Sequence, residues 1–487
     1  MRAQSSLVER TRIPPVAVAI LLLLAPSARA SGEAGVVASA VLPGDPVLAK
    51  LIEESLAARP ELRQAQERVR AERQRIPQAG ALPDPVATLG IQNDGFSELM
   101  IGKMESSYYQ LMLSQGLPWP GKRGFRTDLA RLTAEQADAG LERARLTTEA
   151  DVRRGYLELL LVRDRLALLG EIESIWQKSS GIAQARYQSG EGAQSDVLRA
   201  QLELNRIKQR RWALQSDERV SVQGLNRVRG QPLDEPIPTT ANVRDQPLPV
   251  LLEAEAAFAD AAARSPELKQ ARLDAALAET GLALARRDRY PDLAVTAAIM
   301  PRGGDFEPMW QAGVSLNLPV WSWRKQWRAV EENEARAAAG ALGAATVEQV
   351  LRLRVAERRS ALATILETVK LYREGLLVQS EATAESTLAQ YRVGRVTFAS
   401  VLEANAGFVN DKEGLLLAIA DVLRIAIADA EVRLTPGGGA LATGGMGGAS
   451  VPGAGTTGAG AAGTKGGAGS GAASGDAGGG GSMNSGM

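Results

Sequence analysis

The chain has 487 residues, room for more than one ordinary domain, and its 56 Lys and Arg match its 56 Asp and Glu. A formal net charge of +0 leaves no electrostatic case for nucleic acid as a partner. With no cysteine and no histidine there is no disulfide framework, no thiolate chemistry, no zinc–sulfur site and no usual general base, so an enzyme is set aside.

Residues 1–30 read as a secretory signal. Arg2, Arg10 and Arg12 form a basic start, a short apolar core follows, and Ala28-Arg29-Ala30 fits the small-residue cleavage pattern, giving a mature start at Ser31. No cysteine follows to carry a lipid, and no later stretch is apolar enough to span a bilayer as a helix. Residues 45–76 are helical by pattern: Leu48, Leu51, Ile52 and Leu56 share a face, and Pro60-Glu61-Leu62 restarts a helix that runs through Arg75. Pro77 is expected to interrupt it, and Pro83-Asp84-Pro85 to close the region.

Residues 86–93 alternate as a strand, and 94–105 form a loop. In 107–123, Tyr109, Leu111 and Leu113 fall on one face of a second strand and Gln110, Met112 and Ser114 on the other. Pro118 and Pro120 then end ladder pairing, since neither has an N–H to donate. From Gly121 to about Ser189 the pattern is a single helix, about 100 Å long at 1.5 Å per residue. Tyr187-Gln188-Ser189-Gly190-Glu191-Gly192 breaks it, a return helix runs from about Asp196 to Val228, and the proline-rich residues 233–250 read as a linker.

The same order then repeats. Pro266-Glu267-Leu268 echoes Pro60-Glu61-Leu62, and Tyr290-Pro291-Asp292 stands where Pro83-Asp84-Pro85 stood. Strands follow at 293–300 and 309–318, with Trp310, Ala312, Val314, Leu316 and Leu318 on one face and Gln311, Gly313, Ser315 and Asn317 on the other. Tyr391-Arg392-Val393-Gly394 matches Tyr187-Gln188-Ser189-Gly190, and Val401-Leu402 matches Val197-Leu198. The division is therefore signal 1–30, first repeat 31–232, linker 233–250, second repeat 251–435, and a tail 436–487 rich in Gly, Ala, Ser and Thr that reads as disordered. The tail's glycines have no strand before them and no helix after, so they are not a phosphate loop, and no cofactor site is read anywhere.

The alternating strands fit either a half-buried sheet or a membrane barrel with an apolar face to lipid and a polar face to a lumen. An export signal and the lack of any other core for the strands favour the barrel. Tyr108, Trp119, Trp310, Trp321 and Trp323 sit at strand ends, as an interfacial girdle or as packing residues. Four strands cannot close a barrel, and open edges in hydrocarbon leave backbone groups unpaired, so copies of the chain must pool their strands. Val152, Tyr156, Leu159 and Leu166, widened by Leu157, Leu160 and Leu161, form a stripe matched by Leu362, Leu366, Val369 and Leu376. That stripe suits a self-contained coiled coil or a helix walled by neighbours on both sides.

The order of these motifs, twice over, resembles the TolC family of outer-membrane efflux channels across residues 47–434. Ser114-Gln115-Gly116-Leu117-Pro118-Trp119-Pro120-Gly121-Lys122-Arg123 is similar to the branch serving heavy-metal pumps, the CusC and CzcC type. The resemblance implies a mainly α fold with a small β part: a homotrimer whose four strands per subunit make a twelve-stranded transmembrane barrel, continuous with a helical barrel in the periplasm. It implies outer-membrane lipid around Leu111, Leu113, Trp310, Val314 and Leu316, and a passive duct for metal cations fed by a periplasmic adaptor and an inner-membrane RND pump. The hairpin tips, with Tyr187, Gly190, Tyr391, Arg392, Gly394 and Arg395, would dock the adaptor. Glu403 would narrow the closed tip with Arg395 or Arg392 as basic partner, though Ser400 stands where some members carry a second acid. Ser400 to Glu403 also fits a helix capping box, and Gly190 and Gly394 fit left-handed helix ends. A duct for drugs or secreted polypeptide is the second reading, and a secreted coiled-coil protein with no pore the third.

Overall fold

The computed structural model describes residues 45–434. The expected signal and the glycine-rich tail lie outside the described residues. The protein opens with helices α1 (Pro46–Ala58) and α2 (Pro60–Gly80), each with proline in its first turn, where a missing N–H costs nothing. Asp45 caps α1, its carboxylate accepting from the Val47 N–H at 2.9 Å. Pro77 does not interrupt α2: the helix runs through it to Gly80. Only one turn remains beyond Pro77, so the ring removes a single hydrogen bond from the fraying end.

Strands β1 (Val86–Gln92) and β2 (Tyr108–Leu117) follow, then α3 (Lys122–Gln188) and α4 (Gln194–Val228). At 67 residues α3 is about 100 Å long, as its uninterrupted pattern predicts. After α5 (Ala254–Arg264) and α6 (Pro266–Arg287) come β3 (Asp292–Met300) and β4 (Met309–Asn317). The chain then rises through α7 (Gln326–Leu371), a π turn (Tyr372–Leu376) and α8 (Leu377–Arg392), and returns as α9 (Phe398–Glu431). The π turn was not visible in the sequence. Tyr372 lies against Gly414 of α9, where a Cβ would come within 2.5 Å of the phenol oxygen.

The main core gathers around the middle of α3. Tyr156, Leu157, Leu159, Leu160 and Leu161 are all buried, on nearly every side of the helix, against Leu362 and Val369 of α7 and Leu416, Ile419 and Leu423 of α9. A helix apolar all round needs neighbours all round; α1, α4, α7 and α9 supply them here, with Leu48 and Leu51 of α1 and Leu225 of α4 in the same core. The segment between α4 and α5 has no regular elements, yet it is no loose linker. Ile237 and Val243 are buried in the main core, Arg163 donates to the Ile237 carbonyl at 2.9 Å, and the Asp164 carboxylate accepts from the Val243 N–H at 2.7 Å. Proline forbids a ladder there but not side-chain packing.

Candidate functional site

Two regions stand apart from this core: the sheet and the two hairpin tips. The sheet is antiparallel in the order β1-β2-β3-β4, so among the described residues β1 and β4 are both unpaired edges. Its register puts Leu89 opposite Leu111, Leu111 opposite Ile299, and Ile299 opposite Trp310. The next rows join Leu113 to Ala297 and Ala312, Val295 to Val314, and Leu293 to Leu316. Directly opposed residues share a face, so a single apolar face spans all four strands. Thr88, Gln110, Ser114, Thr296, Gln311 and Ser315 lie on the other.

Along the two central strands the burial is inverted relative to a sheet on a water-soluble core, and β1 and β4 are largely exposed on both faces. Leu111, Leu113, Trp310, Val314 and Leu316 are 45, 52, 78, 68 and 51% exposed, while along β2 the polar-face residues between them are the half-buried ones. The junction to the helices is rigid. Trp119 stacks on Tyr290 with ring centroids 5.4 Å apart, and its backbone N–H donates to the Asp292 carboxylate at 2.8 Å. Lys122, almost wholly buried, pairs with Asp292 at 2.9 Å and with Asp288 at 3.5 Å.

Each tip is a turn around a left-handed glycine: Gly190 after α3 at φ +79° and Gly394 after α8 at φ +76°. Such angles strain any residue with a Cβ, so the helix-ending role expected for both holds. The two turns are tied together. Arg186 donates to the Tyr391 carbonyl at 2.6 Å and to the Glu191 carbonyl at 3.1 Å, with its guanidinium 4.8 Å from the centre of the Tyr391 ring. The Tyr391 hydroxyl donates to Asp196 at 3.0 Å, and its ring packs 5.2 Å from that of Phe398. Burial and the bond to Asp196 push the Tyr391 hydroxyl up to about 12, against the opposing charge of Arg186.

The expected tip residues thus divide. Tyr187, Arg392, Gly394 and Arg395 are exposed with Gly190, whereas Tyr391 is only 1% exposed and belongs to the tip core. The arginine beside the tyrosine is Arg186; Arg392 and Arg395 do not meet Glu403 among the described residues. Sequence reasoning missed Arg186 and Asp196. Their only local signal was a base and an acid flanking the first turn. The capping box at Ser400 is also corrected. α9 starts at Phe398 behind Thr397, and the Ser400 N–H already bonds the Thr397 carbonyl at 3.2 Å, so Glu403 lies in the second turn and caps nothing. Glu403 is exposed instead, beside Ser400 and Asp411, on a groove faced across α8 by Ser380, Thr383 and Thr387.

The fold and sequence have known relatives. The chain is 23% identical over 423 residues to nodulation protein T of Rhizobium leguminosarum bv. trifolii, covering 82% of this chain and 88% of that one. It shares its fold with CusC, described with its transmembrane channel formation, at TM-score 0.67 and 15% identity over 80% of this chain and 92% of that one. The open state of the Neisseria gonorrhoeae MtrE outer membrane channel matches at TM-score 0.65 and 17% identity, covering 80% and 89%. The family model for outer membrane efflux proteins matches residues 51–231 and 258–428, most of the described helices and strands. The inverted sheet and the paired hairpin tips therefore stand in a chain that belongs to the outer membrane efflux protein family.

Proposed function

We propose that the protein is the outer-membrane subunit of a tripartite efflux system in a Gram-negative bacterium, exported by residues 1–30 and built as two repeats, 31–232 and 251–435. Three copies pool their strands into a twelve-stranded barrel, and their helices continue it as a periplasmic duct. The observation that carries this is the sheet: its apolar face is exposed across all four strands, and neither edge has a partner among the described residues. Unpaired edges cannot lie in hydrocarbon, and the smallest closed membrane barrels have about eight strands, so a lone copy is insufficient. At the far end, the exposed turns at Gly190 and Gly394 present Tyr187, Arg392 and Arg395 to a periplasmic adaptor, which couples the duct to an inner-membrane RND pump. The chain moves cargo passively; selection belongs to the pump.

The cargo we assign is heavy-metal cations, on the resemblance carried by residues 114–123. A duct for drugs or secreted polypeptide is the second reading. Reconstituted protein is expected to give large, weakly selective conductance across planar bilayers; a protein that stays water-soluble and silent would sink the duct. Deletion is expected to sensitise the cell to copper, silver, zinc or cobalt, and unchanged tolerance to all four would transfer the assignment to the second reading.

A further inference from the structure

The two strand-to-helix crossings are equivalent in the chain but unlike in chemistry. After β2, Lys122 is buried on Asp288 and Asp292, and Arg123 bonds the Gly80 carbonyl at 2.9 Å. The third cation of that crossing, Arg126, faces the Asp292 carboxylate, so all three are committed to the protein. After β4 the sequence reads Leu318-Pro319-Val320-Trp321-Ser322-Trp323-Arg324-Lys325-Gln326-Trp327-Arg328, with three cations and no acid. Trp321, Trp323 and Trp327 are 66, 56 and 49% exposed, the first two edge to face with centroids 5.4 Å apart. Arg289, just before β3, lies 4.2 Å over the Trp327 ring. Arg324 and Lys325 are exposed and form no ion pair among the described residues. Arg328 does, with Glu331 at 2.6 Å.

From this we infer that the segment Trp321–Trp327, with Arg289, is a binding surface for the anionic headgroup of a glycerophospholipid. The inference rests on the reading of the sheet as lipid-facing. Leu316, Leu318 and Val320 carry the apolar face of β4 directly into the segment, so it begins where the hydrocarbon ends, on the side where the helices start. Indole rings suit that boundary, with an apolar body and one N–H donor. A guanidinium held flat on an indole keeps its edge donors free for phosphate oxygens. Three uncommitted cations around three exposed tryptophans select for negative charge at the headgroup, which a zwitterionic lipid lacks.

The test uses the full chain in nanodiscs of phosphatidylcholine mixed with phosphatidylglycerol, and counts by native mass spectrometry the lipids that stay on the released protein. Wild type is expected to retain phosphatidylglycerol above its share of the disc. Arg289→Gln, Arg324→Gln and Lys325→Gln are each expected to cut that enrichment, about fivefold per cation. Arg324→Lys keeps it, which separates charge from structure, and Arg328→Gln, whose cation is already paired, leaves it nearly unchanged. Retention in the bulk ratio by inserted wild type, or enrichment that survives loss of Arg324 and Lys325, overturns the inference. So does efficient disulfide cross-linking of Trp323→Cys between two copies, which would put a second protomer on the segment. A chain that never enters the disc overturns the lipid-facing sheet as well, a result distinct from insertion without preference.

Discussion

Tyr391 is the residue on which the tip closes, because three different interactions end on it: a carboxylate on its hydroxyl, a guanidinium on its face and carbonyl, and Phe398 on its ring edge. Tyr391→Phe keeps the ring packing and removes the bond to Asp196, which is worth about 1.5–3 kcal/mol for a charged acceptor. The expected outcome is faster amide exchange in the two tip turns with little change elsewhere, and Tyr187→Phe, on an exposed ring, is the matched control. Equal protection in both variants would deny Tyr391 this role. The hydroxyl also sets a pH window. Its folded value, near 12, lies above the ordinary 10.0, so its contribution is complete below about pH 10 and is lost as pH rises through about 12. An absorbance titration is expected to show late-ionising tyrosines, one fewer in Tyr391→Phe, with Tyr156, raised by burial and its bond to Asp45, remaining in both. Glu403 belongs to the same scale. Since it caps no helix, Glu403→Ala is expected to leave thermal stability within about 0.5 kcal/mol. If its carboxylate narrows the closed tip, single-channel conductance rises. Lower stability with unchanged conductance would return Glu403 to a structural role.

At the scale of elements, the sheet and the long helices obey different solvents. A strand whose exposed side is Leu, Val and Trp is stable only where that side meets lipid or another subunit. Val314, 68% exposed near the middle of β4, is the sharpest probe. Val314→Arg is expected to cost about 2–4 kcal/mol at the bilayer midplane and to abolish heat-modifiable oligomers on gels, and normal assembly would mean the face is assigned wrongly. The helices solve the opposite problem. α3 is too long for a private interior, so it is buried all round only where α7 and α9 close over it near Tyr156, and it opens to solvent toward both ends. The π turn between α7 and α8 belongs to the same packing: its first residue, Tyr372, lies against Gly414 of α9.

For the whole molecule, the two free sheet edges set the assembly. β1 and β4 lie at opposite ends of the sheet, so a closed ring forms only if β1 of one copy pairs with β4 of the next. A chain with no cysteine of its own is a clean background for testing this. Single cysteines placed along β1 in combination with single cysteines along β4, such as Gly90→Cys with Gly313→Cys, are expected to give a disulfide ladder in membranes that stops at three copies. No ladder for any combination, or one that runs past three, would dismiss the closed trimer. Much of this plan was legible in the chain. The strands begin and end within a residue or two of their alternation, and Gly190 and Gly394 mark both tips. The illegible parts were those in which a local rule met a distant partner. Pro77 was overruled by a helix with only one turn left, the proline-rich segment before α5 was held by Arg163 and Asp164, and Ser400 was displaced from its cap by the actual start of α9.

By itself, the sequence determined the kinds of element, their order and which strand face is apolar. Periods of 2 and 3.6 residues, proline breaks and left-handed glycines are properties of neighbouring residues and need no tertiary context. Only the tertiary structure decided that β2 pairs with β3, uniting the two halves in one sheet, and that Tyr391 is held by Arg186 and Asp196. Those partners stand 205 and 195 positions away. No local periodicity reaches that far; the packing of α3, α4 and α8 brings them within hydrogen-bond distance.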